Sequence, residues 1–191
     1  MAQRLGADIL GLGAFTAVVG DGGITIANRL DIPVTTGNAY TIATAIQALR
    51  KAAKLMNIDI SKATAAVVGA TGSIGQVCAE LLAEEVSQLL LIGHSENKLQ
   101  ELLSRMHDNA SAQLTISTDL NMLQNANLIV TVTSALHAII RPEHIRSGSV
   151  ICDVARPRDV SRTIASSRDD VLVIDGGVID VPGLVEFNFD F

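Results

Sequence analysis

The chain has 191 residues, of which 48% are hydrophobic, 18% charged and 3% aromatic, with no Trp; its core must be built from Ala, Val, Ile and Leu, and that aliphatic content excludes intrinsic disorder. A formal net charge of −6 and a pI of ≈ 5.1 leave no basic surface to release counterions from a phosphate backbone, which argues against nucleic acid as a partner. Two cysteines, Cys78 and Cys152, make no disulfide framework and fit a reducing, cytoplasmic compartment; mean hydropathy is +0.37, yet no run approaches the roughly 18 apolar residues of a transmembrane segment.

In chain order, Asp8–Leu12 reads as a short strand. Ile9–Val19 is apolar, but Gly11 and Gly13 interrupt it and Asp21-Gly22-Gly23 follows without a small-residue cleavage pattern, so it reads as strand and loop rather than as a secretory signal. Gly22–Leu30 reads as a helix and Pro33–Thr36 as a strand ending in Gly37-Asn38. The clearest helix is Ala39–Met56, where Ile42, Ile46, Leu49, Ala53 and Met56 share one face and Arg50, Lys51 and Lys54 suit the negative end of the dipole. Ala65–Val68 is a short, wholly apolar strand of the kind buried on both faces of a parallel sheet. Ser73–Glu85 follows as a helix, Leu89–Ile92 as a strand, and Glu96–Met106 as a helix with Ser95 as its N-cap. Leu114–Ile116, Leu128–Val132, Val150–Cys152 and Val171–Ile174 continue the strand series.

This alternation specifies an α/β fold: a doubly wound parallel sheet of the Rossmann type, with about six strands over residues 60–176 and a partial N-terminal β/α extension. The expected organisation is a partial substrate or catalytic segment over 1–38, a connecting helix over 39–59, the nucleotide-binding domain over 60–178 and a tail over 179–191. Alternating Phe187, Phe189 and Phe191 suggest a strand whose partner lies beyond the given sequence, as in a fragment cut at both ends; the apolar termini hint at a homo-oligomer.

The chemistry concentrates at the carboxyl ends of the strands, where this fold places ligands. Gly69-Ala70-Thr71-Gly72-Ser73-Ile74-Gly75 joins the first core strand to its helix, where glycine backbone and free helix amides hold a dinucleotide pyrophosphate. Its G-x-x-G-x-x-G spacing is one residue longer than the usual form; the bland alternative is a tight turn packing helix on sheet. After the second core strand, where NAD sites place an acid, stands His94, and His94, Ser95 and Lys98 could surround a 2′-phosphate, favouring NADP over NAD despite Glu96. Thr133 and Ser134 could line the nicotinamide ribose or merely cap a turn, and Gly176-Gly177 could meet the flat ring or form only a turn. Arg156 and Arg158 could pair on the surface with Asp153, Asp159 and Asp169. Asn38 could bond a substrate carbonyl or cap a helix. Four histidines show no metal-ligand spacing, Cys78 and Cys152 read as small core residues, and no catalytic side chain can be named.

The segments Leu10-Gly11-Leu12-Gly13-Ala14-Phe15-Thr16, Thr35-Thr36-Gly37-Asn38-Ala39-Tyr40-Thr41, Asn57-Ile58-Asp59-Ile60, the glycine loop and Asp175-Gly176-Gly177-Val178 resemble the long-chain acyl-(acyl-carrier-protein) reductase family of cyanobacterial type and its bacterial relatives. Ile151–Val160 also resembles the nucleotide domain of glutamyl-tRNA reductases, with shikimate dehydrogenases as wider relatives. The resemblance implies NADPH-dependent reduction of a fatty acyl thioester, carried by acyl carrier protein, to an aldehyde through an enzyme-bound thioester. The family's nucleophilic cysteine lies in a C-terminal region, and neither Cys78 nor Cys152 matches it; where relatives carry Arg after the second strand, this chain has His94. The alternatives are a shikimate or amino-acid dehydrogenase relative and a non-catalytic nucleotide-binding module.

Overall fold

Short apolar runs bounded by polar turns become strands wherever both faces of a sheet can be covered, and the computed structural model shows this for residues 1–13, 16, 21–108, 110–176 and 183–184, the residues described below. The chain divides into two compact units, Met1–Ala43 and Thr44–Phe191.

The first unit holds a 3-10 turn at Gln3–Leu5, β1 (Leu10–Gly11), α1 (Ile24–Ala27) and β2 (Val34–Thr35). β1 and β2 pair in parallel, Leu10 opposite Val34 and Gly11 opposite Thr35. These elements are shorter than their sequence patterns: α1 keeps four residues of Gly22–Leu30, because none of its residues is buried and an unpacked helix of that length has little to hold it. The helix α2 (Asn38–Leu55) carries the chain into the second unit.

The second unit contains β3 (Thr64–Val68), α3 (Ser73–Ala83), β4 (Gln88–Ile92), α4 (Glu96–Met106), β5 (Gln113–Ser117), β6 (Leu128–Thr131), β7 (Val150–Asp153), α5 (Arg162–Ser167) and β8 (Leu172–Asp175). Its six strands are parallel, in the order β5-β4-β3-β6-β7-β8. Counted from the first strand of the sheet this is the 3-2-1-4-5-6 order of a Rossmann-type fold, whose direction of winding reverses between β3 and β6. Alternate residues divide the core. Ala66, Val68, Leu90, Ile92, Ile129 and Ile151 join Leu123, Ile140 and Ile164 on one face. On the other, the Cys152 Sγ lies 3.8 Å from the Ala45 carbonyl of α2. Ile46, Leu49 and Ala53 of α2 are buried, as the helical spacing requires.

Two local expectations differ. Ser95 occupies the N-cap position of α4 but its side chain makes no capping bond. The helix α5 had no clear sequence signal, since Ile164 is its one buried residue. Among the described residues no helix is long and apolar enough to cross a membrane. The aromatic tail at 187–191 and Gly177 lie outside the described residues.

Candidate functional site

The glycine loop leaves β3 at the point where the winding reverses. Gly69 takes a φ of +84°, and a Cβ there would lie 3.0 Å from the Val132 carbonyl oxygen, so glycine is required twice over. The amides of Gly69 and Ala70 both donate to the Ile92 carbonyl, at 2.8 and 3.0 Å, which ties the loop to the end of β4. Gly72 donates to the Gly69 carbonyl at 3.0 Å, and Gly72 caps α3 with no side-chain bond. A Cβ on Gly75 would fall 2.2 Å from the Gly69 oxygen, so the last glycine lets the first turn of α3 press against the loop. Gln76 is the first α3 amide to find a loop carbonyl, that of Gly72 at 2.9 Å; those of Ser73, Ile74 and Gly75 have no acceptor among the described residues. Three unpaired N–H groups at the positive end of an 11-residue helix make an anion cradle, and this donor set fits a diphosphate. Ala70 contributes its buried side chain to the core.

Beside the loop runs an open groove of ≈ 750 Å³ lined by Thr71, Gln76, Lys98, Glu101, Ser104 and Arg105. The Thr71 hydroxyl oxygen lies 3.6 Å from the Cβ position of Gly93, placing the loop against the end of β4. The structure thus brings Thr71 and Lys98 together. His94 is exposed and Ser95 half-buried at the same strand end, but neither lines this groove. Glu96, the residue expected to repel a 2′-phosphate, lines a separate groove of ≈ 230 Å³ with Leu99, Ile116, Ser117 and Thr118. Gln76, Glu101 and Arg105 carry no sequence motif; Gln76 and Arg105 meet across 29 positions, a separation that no local pattern reports.

At the later strand ends, carboxylates organise the backbone. Asp159 is fully buried and accepts from the hydroxyls of Thr131 and Thr133 and from the Thr133 amide at 3.0 Å. The Thr133 oxygen in turn accepts from the Ala135 amide at 3.1 Å, the turn-capping role, while Ser134 is exposed. Asp153 accepts from the amides of Ala155 and Val160, each at 3.0 Å, and burial pushes its carboxyl above the usual range. The arginine expectation needs correcting: Arg156 and Arg158 both pair with Asp175, because Asp153 and Asp159 are buried and occupied by loop donors. Gly176 is buried with its amide on the Asp153 carbonyl at 2.9 Å, and a Cβ there would sit 2.7 Å from the Cys152 Sγ, so packing demands this glycine.

Asn38 opens α2 in the N-terminal unit, its amide 3.5 Å from the Thr36 hydroxyl. Both thiols are buried; burial pushes Cys78 to about 11 and Cys152 to about 12, which leaves neither as a ready nucleophile. No metal-binding cluster of His, Cys, Asp or Glu occurs among the described residues.

Residues 50–176 match the family model of shikimate / quinate 5-dehydrogenase. Over 185 residues, 96% of its length, the chain is 34% identical to the aminotransferase PigE of a Serratia species, spanning 22% of that protein. Over 190 residues, 94% of its length, it is 30% identical to the long-chain acyl-[acyl-carrier-protein] reductase of Synechococcus elongatus, spanning 53% of it. Among solved structures, glutamyl-tRNA reductase from Methanopyrus kandleri superposes with a TM-score of 0.55 at 25% identity, covering 66% of this chain and 33% of that one. The chain therefore spans about half or less of the curated relatives it matches, and the resemblances read from its motifs are all found again.

Proposed function

The chain belongs to the shikimate / quinate 5-dehydrogenase family, and from that premise we propose that it binds NADPH and serves a reductase that converts a fatty acyl thioester, presented on acyl carrier protein, to an aldehyde. The observation that carries the cofactor half is the cradle of Ser73, Ile74 and Gly75 amides behind the positive-φ turn at Gly69. The thioester half rests on the likeness to the acyl-[acyl-carrier-protein] reductase, which runs through the N-terminal unit as well as the sheet. When bound, the cofactor would supply a hydride to the acyl carbonyl, and the carbon–sulfur bond would break to release the carrier as its thiol once a proton is taken up. The chain's own residues would hold the diphosphate at 73–75 and the 2′-phosphate near Lys98, while Asp159 fixes the Thr133–Ala135 turn beside the β6 end. With both thiols buried and in their neutral form, the proposal gives Cys78 and Cys152 no covalent role. The same reading places the chain in the cytoplasm and allows a homo-oligomer.

The family match favours a second reading, a dehydrogenase acting on a small polar hydroxy or amino acid. The two separate in one experiment. The chain is titrated with NADPH and NADH by cofactor fluorescence, then incubated with NADPH and a long-chain acyl thioester while aldehyde is followed by gas chromatography. Saturable NADPH binding with aldehyde formation supports the first reading. NADPH binding without aldehyde, together with reduction of NADP+ by shikimate or an amino acid in a parallel assay, turns the assignment to the second. Absence of any dinucleotide binding overturns both.

A further inference from the structure

Arg105 occupies an unusual place. It stands four residues after Glu101 on α4, the orientation in which an acid and a base on one helix attract each other best. Both line the same groove, yet the structure forms no ion pair between them. The Arg105 Nη2 instead crosses to α3 and donates to the Gln76 Oε1 at 3.0 Å. Gln76 is held at its other end, where its Nε2 donates to the Thr71 carbonyl at 2.8 Å. One amide side chain thus joins the glycine loop to a guanidinium on the neighbouring helix.

This bridge has two consequences. The Thr71 carbonyl, which would repel a phosphate if turned toward it, is engaged by a donor. The guanidinium keeps its remaining N–H donors free of any carboxylate among the described residues, in the same groove as the Lys98 ammonium, which also makes no ion pair there. The Ser104 hydroxyl is turned back to the Gln100 carbonyl at 2.9 Å and adds nothing, whereas the Thr71 hydroxyl is open beside the end of β4. Two cations and a hydroxyl therefore face one Glu in a groove that begins at the loop.

We infer that Arg105, positioned by Gln76, is a specificity-determining residue that with Lys98 recognises the 2′-phosphate of NADPH, and that Glu101 moderates its strength. The inference rests on the cofactor reading above and adds to it residues that strand-end motifs do not mark. A guanidinium held by a neutral amide keeps its full charge for a dianionic phosphate, which a carboxylate partner would have partly cancelled.

The test measures dissociation constants of the whole chain for NADPH and NADH by fluorescence titration, in wild type, Arg105→Gln, Gln76→Leu and Glu101→Gln, with urea midpoints as a check on folding. Arg105→Gln should weaken NADPH by about tenfold and leave NADH within about twofold, since only the former carries the contact. Gln76→Leu should weaken NADPH more than NADH, and Glu101→Gln should tighten NADPH with NADH unchanged. In wild type, 2′-AMP should compete with NADPH better than 5′-AMP, and Arg105→Gln should abolish that preference. If Arg105→Gln weakens both dinucleotides equally, or neither, the inference is overturned while the cofactor reading stands. Wild type that binds neither dinucleotide, or prefers NADH, overturns the cofactor reading and this inference with it.

Discussion

Gly75 offers the sharpest test of the loop geometry. Replacing it by Ala places a Cβ 2.2 Å from the Gly69 carbonyl oxygen, 2.9 Å from its carbonyl carbon and 3.0 Å from the Ala70 Cα. All three are backbone atoms, so no side chain can rotate away. Bringing the first contact to 3.0 Å requires the turn and the helix to part by about 0.8 Å, the difference between 2.2 and 3.0 Å, in a densely packed place. Overpacking of this kind costs about 1–3 kcal/mol, against which alanine returns at most about 1 kcal/mol of helix propensity. The expected outcome is a net loss of about 1–2 kcal/mol, or a fall in Tm of about 2–8 °C for a chain of this size. The displaced first turn carries the amides of Ser73, Ile74 and Gly75, so the NADPH dissociation constant should rise about tenfold or more. Gly72→Ala is the control: a Cβ there lies 3.3 Å from the same oxygen at an ordinary φ of −79°, and its urea midpoint should stay close to wild type. Urea denaturation followed by circular dichroism and a fluorescence titration with NADPH decide the matter. A Gly75→Ala protein with unchanged midpoint and unchanged affinity refutes the packing of loop against helix on which the cradle depends.

Three further outcomes follow from the carboxylates and thiols. Asp159→Ala leaves the Thr131 and Thr133 hydroxyls and the Thr133 amide without their acceptor in a buried place, so urea denaturation should show a loss of about 3 kcal/mol; a loss below about 1 kcal/mol contradicts the hub role. Cys78 and Cys152, raised to about 11 and about 12 by burial, should resist iodoacetamide at pH 8 in the native protein and react fully in urea, as read by intact mass; rapid native alkylation contradicts their burial. The Arg168 guanidinium holds Asp170 below its ordinary value of 3.8, so this group stabilises the fold above that value and the contribution is lost as pH falls through the folded titration. Wild type should therefore lose more of its urea midpoint between pH 5 and acid than Asp170→Asn does, and parallel curves for the two proteins would remove the pair from the acid limb.

What could be read in advance divides along physical lines. The sheet was legible because strands buried on both faces need continuous apolar runs, and Ala65–Val68 and Leu89–Ile92 supply them. The bounds of α4 at Glu96–Met106 were legible because Leu99, Leu102 and Met106 repeat at helical spacing and are buried. The glycine loop was legible because its requirements belong to the backbone: a left-handed turn at Gly69 and a close approach at Gly75 each leave a glycine behind. α5 was not, since one buried isoleucine makes no period. The sequence offers Asp153, Asp159 and Asp169 alike as surface partners for Arg156 and Arg158, and nothing local marks Asp159 as buried. The donors that make its burial tolerable come from Thr131 and Thr133, 28 and 26 positions earlier. Gln76 and Arg105 lie beyond such reading for the same reason: each looks like an exposed helix residue until the two helices are set side by side.

These differences assign distinct work to the two halves of the sheet edge. At β6, β7 and β8, Asp159, Asp153 and Asp175 each answer donors of the protein itself: threonines, loop amides and two arginines. Their charge is spent on shape, and Thr133, expected at a ribose, already gives its hydroxyl hydrogen to Asp159. At β3 and β4 the balance is reversed. The amides of Ser73, Ile74 and Gly75 and the cations Lys98 and Arg105 stand without acceptors of opposite charge among the described residues. Under the proposed cofactor reading, the donors left unanswered over β3 and β4 would receive the phosphate-bearing end of a dinucleotide. The β6–β8 side, whose hydrogen bonds are already made, would then form a rigid floor, and discrimination between cofactors would fall to the helix pair α3 and α4.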